Sequence, residues 1–296
     1  MKRIRIKQVD AFTTVPFGGN PAGVVTDATD LAEGEMQAIA REMNLSETAF
    51  VAPSEEADFR VRFFTPRKEI DLAGHPTIAT MHALVEEGRI PLQDGVTTVT
   101  QELNVGVLPV EIYSSGGRVK QIVMTQKRPE FLTTYSHREW ARALGIPEAA
   151  METGYPVQTV STGTPQLMAL VRDLRALQNL KPDLNYIAEL TERGDFFSVH
   201  VFCLGGFSPQ ADVHARHFAP TAGVIEDPVT GSASGGMGAY LVRYGLVDKL
   251  KLVAEQGHIV GRPGTVQIEV ILEGEEIASV KVGGQAITIM EGELFF

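Results

Sequence analysis

Apolar and polar residues alternate over residues 4–9, which predicts a first strand. Gly18-Gly19-Asn20-Pro21 follows as a tight turn, and residues 22–25 read as a short second strand. Over residues 31–43 the apolar spacing becomes helical, with Ala38, Ile39 and Met43 available for an inner face. Residues 48–52 and 59–64 read as strands. Residues 77–87 are mostly apolar and predict a buried helix. Strands with turns between them follow over 96–110 and 119–125.

The pattern then restarts. Residues 158–170 carry strand, Ser-Thr-Gly-Thr-Pro turn and strand, as residues 8–25 do. Residues 199–203 and 213–218 read as strands. The second of these contains Arg216-His217-Phe218 and runs into Ala219-Pro220, where the first half has Arg62-Phe63-Phe64-Thr65-Pro66, an offset of 154 residues (62 to 216). Gly74 and Gly231 are offset by 157 residues (74 to 231), so the two matches nearly share a register. Residues 237–244 repeat the buried helix and residues 257–289 the closing strands. So long a period is not that of a solenoid, whose units run to ~20–50 residues. It predicts two similar domains with a cleft between them: residues 1–126, completed by the C-terminal strand 285–296, and residues 127–284. Residues 127–154 read as the crossover and hold a short helix.

Composition narrows the function. Of 296 residues, 44% are hydrophobic, enough for a sizeable core. The net charge of −11 argues against nucleic acid or an acidic membrane as partner, since both need basic patches. A small carboxylate ligand stays open, because a few backbone N–H groups can hold it in an acidic protein. One cysteine, Cys203, excludes an intrachain disulfide and a four-cysteine zinc site, and its apolar setting reads as an inert core thiol. The basic start Met1-Lys2-Arg3 has no apolar signal region after it, and no apolar run reaches the ~20 residues that span a bilayer. The expectation is a soluble cytoplasmic protein.

Candidate chemistry gathers at two turns, Ala73-Gly74-His75-Pro76-Thr77 and Glu226-Asp227-Pro228-Val229-Thr230-Gly231-Ser232. Each runs into a helix whose first N–H groups can hold a carboxylate. Gly231 and Ser232 would supply backbone N–H groups and a hydroxyl, or form a packing turn. His75 can exchange a proton near pH 7 or cap its own helix. Asp227 can orient His75, bind a substrate amine, shuttle a proton, or form an Asx turn. Glu47 opens an apolar strand, where burial raises a carboxyl toward general-base range, or it is an ordinary surface glutamate. His82 reads as a packed core histidine. His214 and His217 fall on opposite sides of a strand and make no metal pair, and no metal site is expected. There is no Walker loop, no His-Glu-x-x-His pattern and no complete dinucleotide fingerprint. Ala233 occupies the nucleophile position of what would be a Gly-x-Ser-x-Gly elbow.

Asp10-Ala11-Phe12 with Gly19-Asn20-Pro21-Ala22-Gly23-Val24, Leu45-Ser46-Glu47-Thr48-Ala49-Phe50, Arg62-Phe63-Phe64-Thr65-Pro66, Gly74-His75-Pro76-Thr77 and the segment 226–233 resemble the phenazine-biosynthesis PhzF-like proteins, in order along almost the whole chain. The resemblance implies an α+β, diaminopimelate epimerase-like fold, two pseudo-symmetric halves each a curled mixed sheet around a central helix. It implies a homodimer without metal or organic cofactor, and an isomerase acting on trans-2,3-dihydro-3-hydroxyanthranilate or a similar small carboxylic acid. It assigns Glu47 as the acid/base, His75, Asp227 and Ser232 as its partners, and Gly74 and Gly231 as backbone contacts. Epimerases of this fold use two facing cysteines. Here those positions carry Ala73 and Ser232, so two-thiol racemisation is excluded. A carboxylate-binding protein without catalysis is the alternative, and a hydrolase using Ser232 with His75 a weaker one.

Overall fold

The structure is a computed structural model that describes residues 1–296. The chain forms two compact units, residues 1–124 with 283–296, and residues 125–282.

In unit 1, β1 (Arg3–Ala11) pairs antiparallel with β2 (Asn20–Val25). A crossover through α1 (Glu33–Met43) brings β3 (Glu47–Ala52) parallel to β2. Next comes β4 (Phe59–Phe64), antiparallel to β3 and to the short β5 (Glu69–Ile70). After α2 (Gly74–Glu86), β6 (Gly95–Leu103) runs parallel to β4, and β7 (Gly106–Ser115) and β8 (Arg118–Gln126) follow as an antiparallel meander. The helix α2 is apolar nearly all round and packs on β1, β2 and β3, where Ala79 and Ala83 meet Val9, Ala22 and Val24. A helix without a polar face is stable only inside a fold. The sequence predicts it from residue 77. It begins three residues earlier, which carries Gly74-His75-Pro76 into the first turn.

Unit 2 repeats this order. β9 (Glu130–Tyr135) pairs with β10 (Val157–Ser161), and β10 with β11 (Pro165–Leu170). Between β9 and β10 lies α3 (His137–Ala143), and α4 (Leu174–Gln178) and α5 (Leu184–Arg193) form the crossover to β12 (Ser198–Leu204), parallel to β11. Then β13 (Val213–Ala219) pairs antiparallel with β12 and with β14 (Val224–Asp227). After α6 (Gly231–Arg243), β15 (Lys251–Gln256) runs parallel to β13, followed by β16 (Gly264–Glu273) and β17 (Glu276–Gly284). The last strand, β18 (Ala286–Phe295), returns to unit 1 and pairs with β1, the place β9 holds beside β10. No helix is long and apolar enough to cross a membrane.

The sequence reads α6 only from residue 237, because Gly231-Ser232-Ala233-Ser234-Gly235-Gly236-Met237-Gly238 has low helix propensity. Packing overrides propensity here. A Cβ on Gly238 would lie 2.6 Å from Ile268 Cγ2, so the glycine lets the helix sit close on β16. The strand β9, inside the segment read as a crossover, has an exposed, uneven pattern with little period-two signal.

The repeat extends to side chains. Arg62 Nε and Nη2 meet the Glu69 carboxylate at 2.7 and 2.6 Å, and Arg216 Nε and Nη2 meet that of Glu226 at 2.8 and 2.8 Å. Each guanidinium lies over the phenylalanine two residues on, Phe64 at 5.1 Å and Phe218 at 5.2 Å. The second pair is the drier one, with side chains 8% and 13% exposed against 22% and 21%. Arg216 also donates to the Leu177 and Leu180 carbonyls. Truncating one partner of a buried pair strands the other charge. Arg216→Ala is expected to cost about 3–5 kcal/mol and Arg62→Ala clearly less, measured by urea unfolding of both variants. Equal losses would refute the ranking by burial.

Candidate active site

In unit 1, Glu47 is the first residue of β3 and aligns with Ala22 of β2. His75 is the second residue of α2. These elements bring His75 Nε2 to 3.2 Å from Glu47 Oε2 and 3.3 Å from Ser46 Oγ. The imidazole also bonds to the Pro21 backbone. Burial pushes its pKa down to about 3, and the Pro21 bond opposes this only partly. His75 is therefore neutral near pH 7. A neutral imidazole has one N–H. With that N–H given to the Pro21 carbonyl, the nitrogen facing Glu47 and Ser46 is an acceptor. Any hydrogen bond between Glu47 and His75 is then donated by the carboxyl.

In unit 2, Asp227 ends β14 and accepts from the Thr230 hydroxyl. Gln256, at the end of β15 and buried, clamps the turn between them. Its Nε2 donates to the Asp227 carbonyl at 2.7 Å and to Thr230 Oγ1 at 3.2 Å, and its Oε1 accepts the Thr230 N–H at 3.1 Å. Ser232 Oγ accepts from Gln166 Nε2 at 3.0 Å, which leaves its O–H to donate elsewhere. The Gly231 carbonyl accepts from Gln126 Nε2 at 3.1 Å, and Gln126 Oε1 in turn accepts the Thr162 hydroxyl at 2.6 Å. Losing a buried amide leaves its partners unpaired. Gln256→Ala is expected to cost about 1–3 kcal/mol and to speed amide exchange at residues 227–231. Unchanged exchange there would show that the turn holds itself.

Both buried helices start without a side-chain cap. Neither Ala73 before α2 nor Thr230 before α6 gives a capping bond, and neither first turn holds an acid. By contrast Asp173, Asp183 and Ser136 cap the shorter helices of unit 2. Uncapped N-termini keep N–H groups available to an anion.

The structure thus joins Glu47 with His75 in one unit, and Asp227 with the start of α6 at Gly231 and Ser232 in the other. His82 contacts Glu86 at 3.2 Å on the following turn and is partly exposed, so it is not a pure core residue. Cys203 is buried, and burial pushes its thiol up to about 12. His217 meets the buried His200, Nδ1 to Nδ1, at 3.2 Å. Ser46, the Pro21 carbonyl, Gln126, Gln166 and Gln256 are contacts that sequence reasoning missed. An amide in a strand that is otherwise buried and mainly apolar, as at Gln166, is the one available signal.

Two α+β units of matching topology, each with an uncapped buried helix beside acid/base or hydroxyl groups, have the diaminopimelate epimerase-like fold. A hydroxyproline epimerase from Agrobacterium vitis shares the fold at 13% identity, with a TM-score of 0.67 over 99% of this chain and 91% of that one. Residues 9–292 match the family described as phenazine biosynthesis-like proteins, and the chain belongs to that family. It is 39% identical to the uncharacterized isomerase YfhB of Bacillus subtilis, over 97% of each chain. It is 32% identical to the trans-2,3-dihydro-3-hydroxyanthranilate isomerase of Pseudomonas fluorescens, again over 97% of each. The crystal structure of a PhzF-family protein from Bacillus anthracis is 36% identical and superposes with a TM-score of 0.91 over 100% of both chains. The protein is an isomerase of this family.

Proposed function

We propose that the protein shifts a proton within a small cyclic or unsaturated amino or hydroxy carboxylic acid of the trans-2,3-dihydro-3-hydroxyanthranilate kind, by acid/base chemistry that needs no cofactor. The observation that carries this reading is the contact between Glu47 and a neutral His75. Glu47, as carboxylate, takes the proton from a carbon next to the conjugated system. The electron pair of that C–H bond spreads into the unsaturation, toward an oxygen that backbone N–H groups can stabilise. Glu47, now protonated, bonds to the acceptor nitrogen of His75 and keeps the proton close. It then returns the proton to the far carbon of the same conjugated system. No atom is gained or lost, and the carboxylate is regenerated.

Gly74 and Gly231, at the uncapped starts of α2 and α6, are assigned as backbone contacts to substrate, through N–H groups that can hold a carboxylate. Ser232 is assigned as a hydroxyl donor to substrate, and Asp227 as a second acid/base group. The enzyme works as a cytoplasmic homodimer in this reading. The 32% identical dihydrohydroxyanthranilate isomerase supports the substrate class.

The test is proton NMR in D₂O with purified protein and a panel of unsaturated amino and hydroxy acids that includes trans-2,3-dihydro-3-hydroxyanthranilate. Deuterium entering substrate or product, with loss of the signal in Glu47→Gln, is the expected result. A ligand that binds and raises the melting temperature without exchange would mark a carboxylate-binding protein instead.

A further inference from the structure

Positions 60 and 214 are equivalent in the repeat, and each faces a glutamate across a parallel strand pair. Arg60 is opposite Glu102 on β4 and β6, and His214 is opposite Glu255 on β13 and β15. In unit 1 the carboxylate is matched by a fixed cation. Arg60 Nη1 lies 2.8 Å from Glu102 Oε1, and the Ser54 hydroxyl donates to Glu102 Oε2 at 2.5 Å.

In unit 2 the carboxylate is kept and the fixed cation is gone. The Glu255 side chain is only 6% exposed, against 25% for Glu102. The N–H groups of Phe207 and Ser208 hold it at 2.7 and 3.1 Å. Gly206 permits this approach, since a Cβ there would lie 2.6 Å from Glu255 Oε2. Two imidazoles replace the guanidinium. His214 Nδ1 lies 3.5 Å from Glu255 Oε2, and His258 joins from the turn after β15. One ligand atom from each of the three residues lies within 4.8 Å of the others.

The imidazoles are not otherwise satisfied. His214 is fully buried; its Nε2 has no hydrogen-bond partner, and its Nδ1 has only the long 3.5 Å approach to Glu255. His258 Nδ1 has no partner either. Buried polar groups are almost always paired, so two orphaned imidazole nitrogens and a loosely held third around one buried carboxylate call for a missing partner. Phe207 stacks on His258 at 4.5 Å and meets His214 edge-on at 5.0 Å, which orients the two rings.

We propose that His214, Glu255 and His258 bind a divalent transition-metal cation at the position where unit 1 carries its arginine. Two imidazole nitrogens and one carboxylate oxygen form a donor set suited to Zn²⁺, with Co²⁺ and Ni²⁺ as close substitutes. Such an ion would tie β13 to the end of β15 and to the 205–208 loop. Gln256, which clamps the Asp227 turn, is the residue after Glu255. The ion is a staple behind that turn and takes no part in the proton shift.

The experiment uses full-length protein without a histidine tag, stripped with EDTA and dialysed. Zn²⁺ is titrated in by calorimetry, Co²⁺ is followed by its visible spectrum, and melting is recorded with and without Zn²⁺. One equivalent per chain, tetrahedral-type Co²⁺ bands and a higher melting temperature with Zn²⁺ are expected. His258→Ala lies in a partly exposed turn and should lower the affinity by about tenfold or more. His214→Ala, with its fold checked by circular dichroism, should do the same. Cys203→Ser and His200→Asn should leave binding unchanged. Folded wild-type protein that shows no saturable Zn²⁺ or Co²⁺ binding would overturn the proposal. So would binding that His258→Ala leaves intact, or that Cys203→Ser or His200→Asn removes.

Discussion

Glu47→Gln is expected to lower turnover by about 10²–10⁴-fold, the range a general acid/base group contributes, with the fold intact and KM little changed. The substitution keeps size and shape. A glutamine at 47 can still donate an N–H to the acceptor nitrogen of His75, 3.2 Å from the present carboxylate oxygen. The local hydrogen bonding therefore survives, and what disappears is the ability to take a proton from carbon. That makes the variant a clean separation of chemistry from architecture. Glu47→Asp draws the carboxylate back by one methylene and should retain part of the activity. His75→Leu removes an acceptor without removing the base, so its loss should be smaller than that of Glu47→Gln. Turnover is followed as product formation and as deuterium uptake in D₂O. A Glu47→Gln enzyme that turns over at the wild-type rate would sink the assignment, whatever its effect on binding.

The repeat was legible in the sequence because the residues that carry it are also those with an unmistakable pattern. Arg62 and Arg216 sit in apolar strands, and a guanidinium there needs a carboxylate. Glu69 and Glu226 supply it at the same place in each unit. The buried helices were legible from their lack of a polar face, but their starts were not. Local propensity opposes a helix at Gly231 and Ser232, while close packing of α6 on β16 demands one. The contact of Glu47 with His75 joins a strand start to a helix start and has no periodicity to announce it. Resemblance to the family pointed to the pair, and the structure brings the two side chains together. The amides Gln166 and Gln256 were hidden for the same reason, since their partners at Ser232, Asp227 and Thr230 are distant in the chain. The group of His214, Glu255 and His258 shows the limit most plainly. Spacing set His214 against His217 and found no metal pair, whereas the partner that matters lies opposite on a parallel strand.

Acidification from pH 7 to 4.5 should destabilise the protein steeply. Five of its seven histidines are held below the ordinary value of 6.5, with burial the largest cause in each. His75 and His217 are pushed down to about 3 and His214 to about 4, while His82 and the fully buried His200 are also lowered. The sign follows from where each proton binds. In the unfolded chain these rings protonate as the pH passes 6.5, and in the folded protein they refuse the proton until the pH is far lower. Their stabilising contribution is complete above the unfolded value and is lost as the pH falls toward the folded ones. Each ring that is protonated unfolded and neutral folded adds about 1.4 kcal/mol per pH unit to the slope, so several together outweigh any single substitution considered above. Carboxylates with lowered pKa, such as Glu69, Glu86 and Glu255, act in the same direction but only as the pH approaches their ordinary value of 4.5. The window between 6.5 and 4.5 therefore belongs to the histidines. Urea midpoints at pH 7.5, 6.5, 5.5 and 4.5 should begin to fall over the first step and fall increasingly over the next two. Midpoints that hold steady down to pH 4.5 would mean that the folded protein admits these protons, and that burial does not hold the rings neutral below pH 6.5.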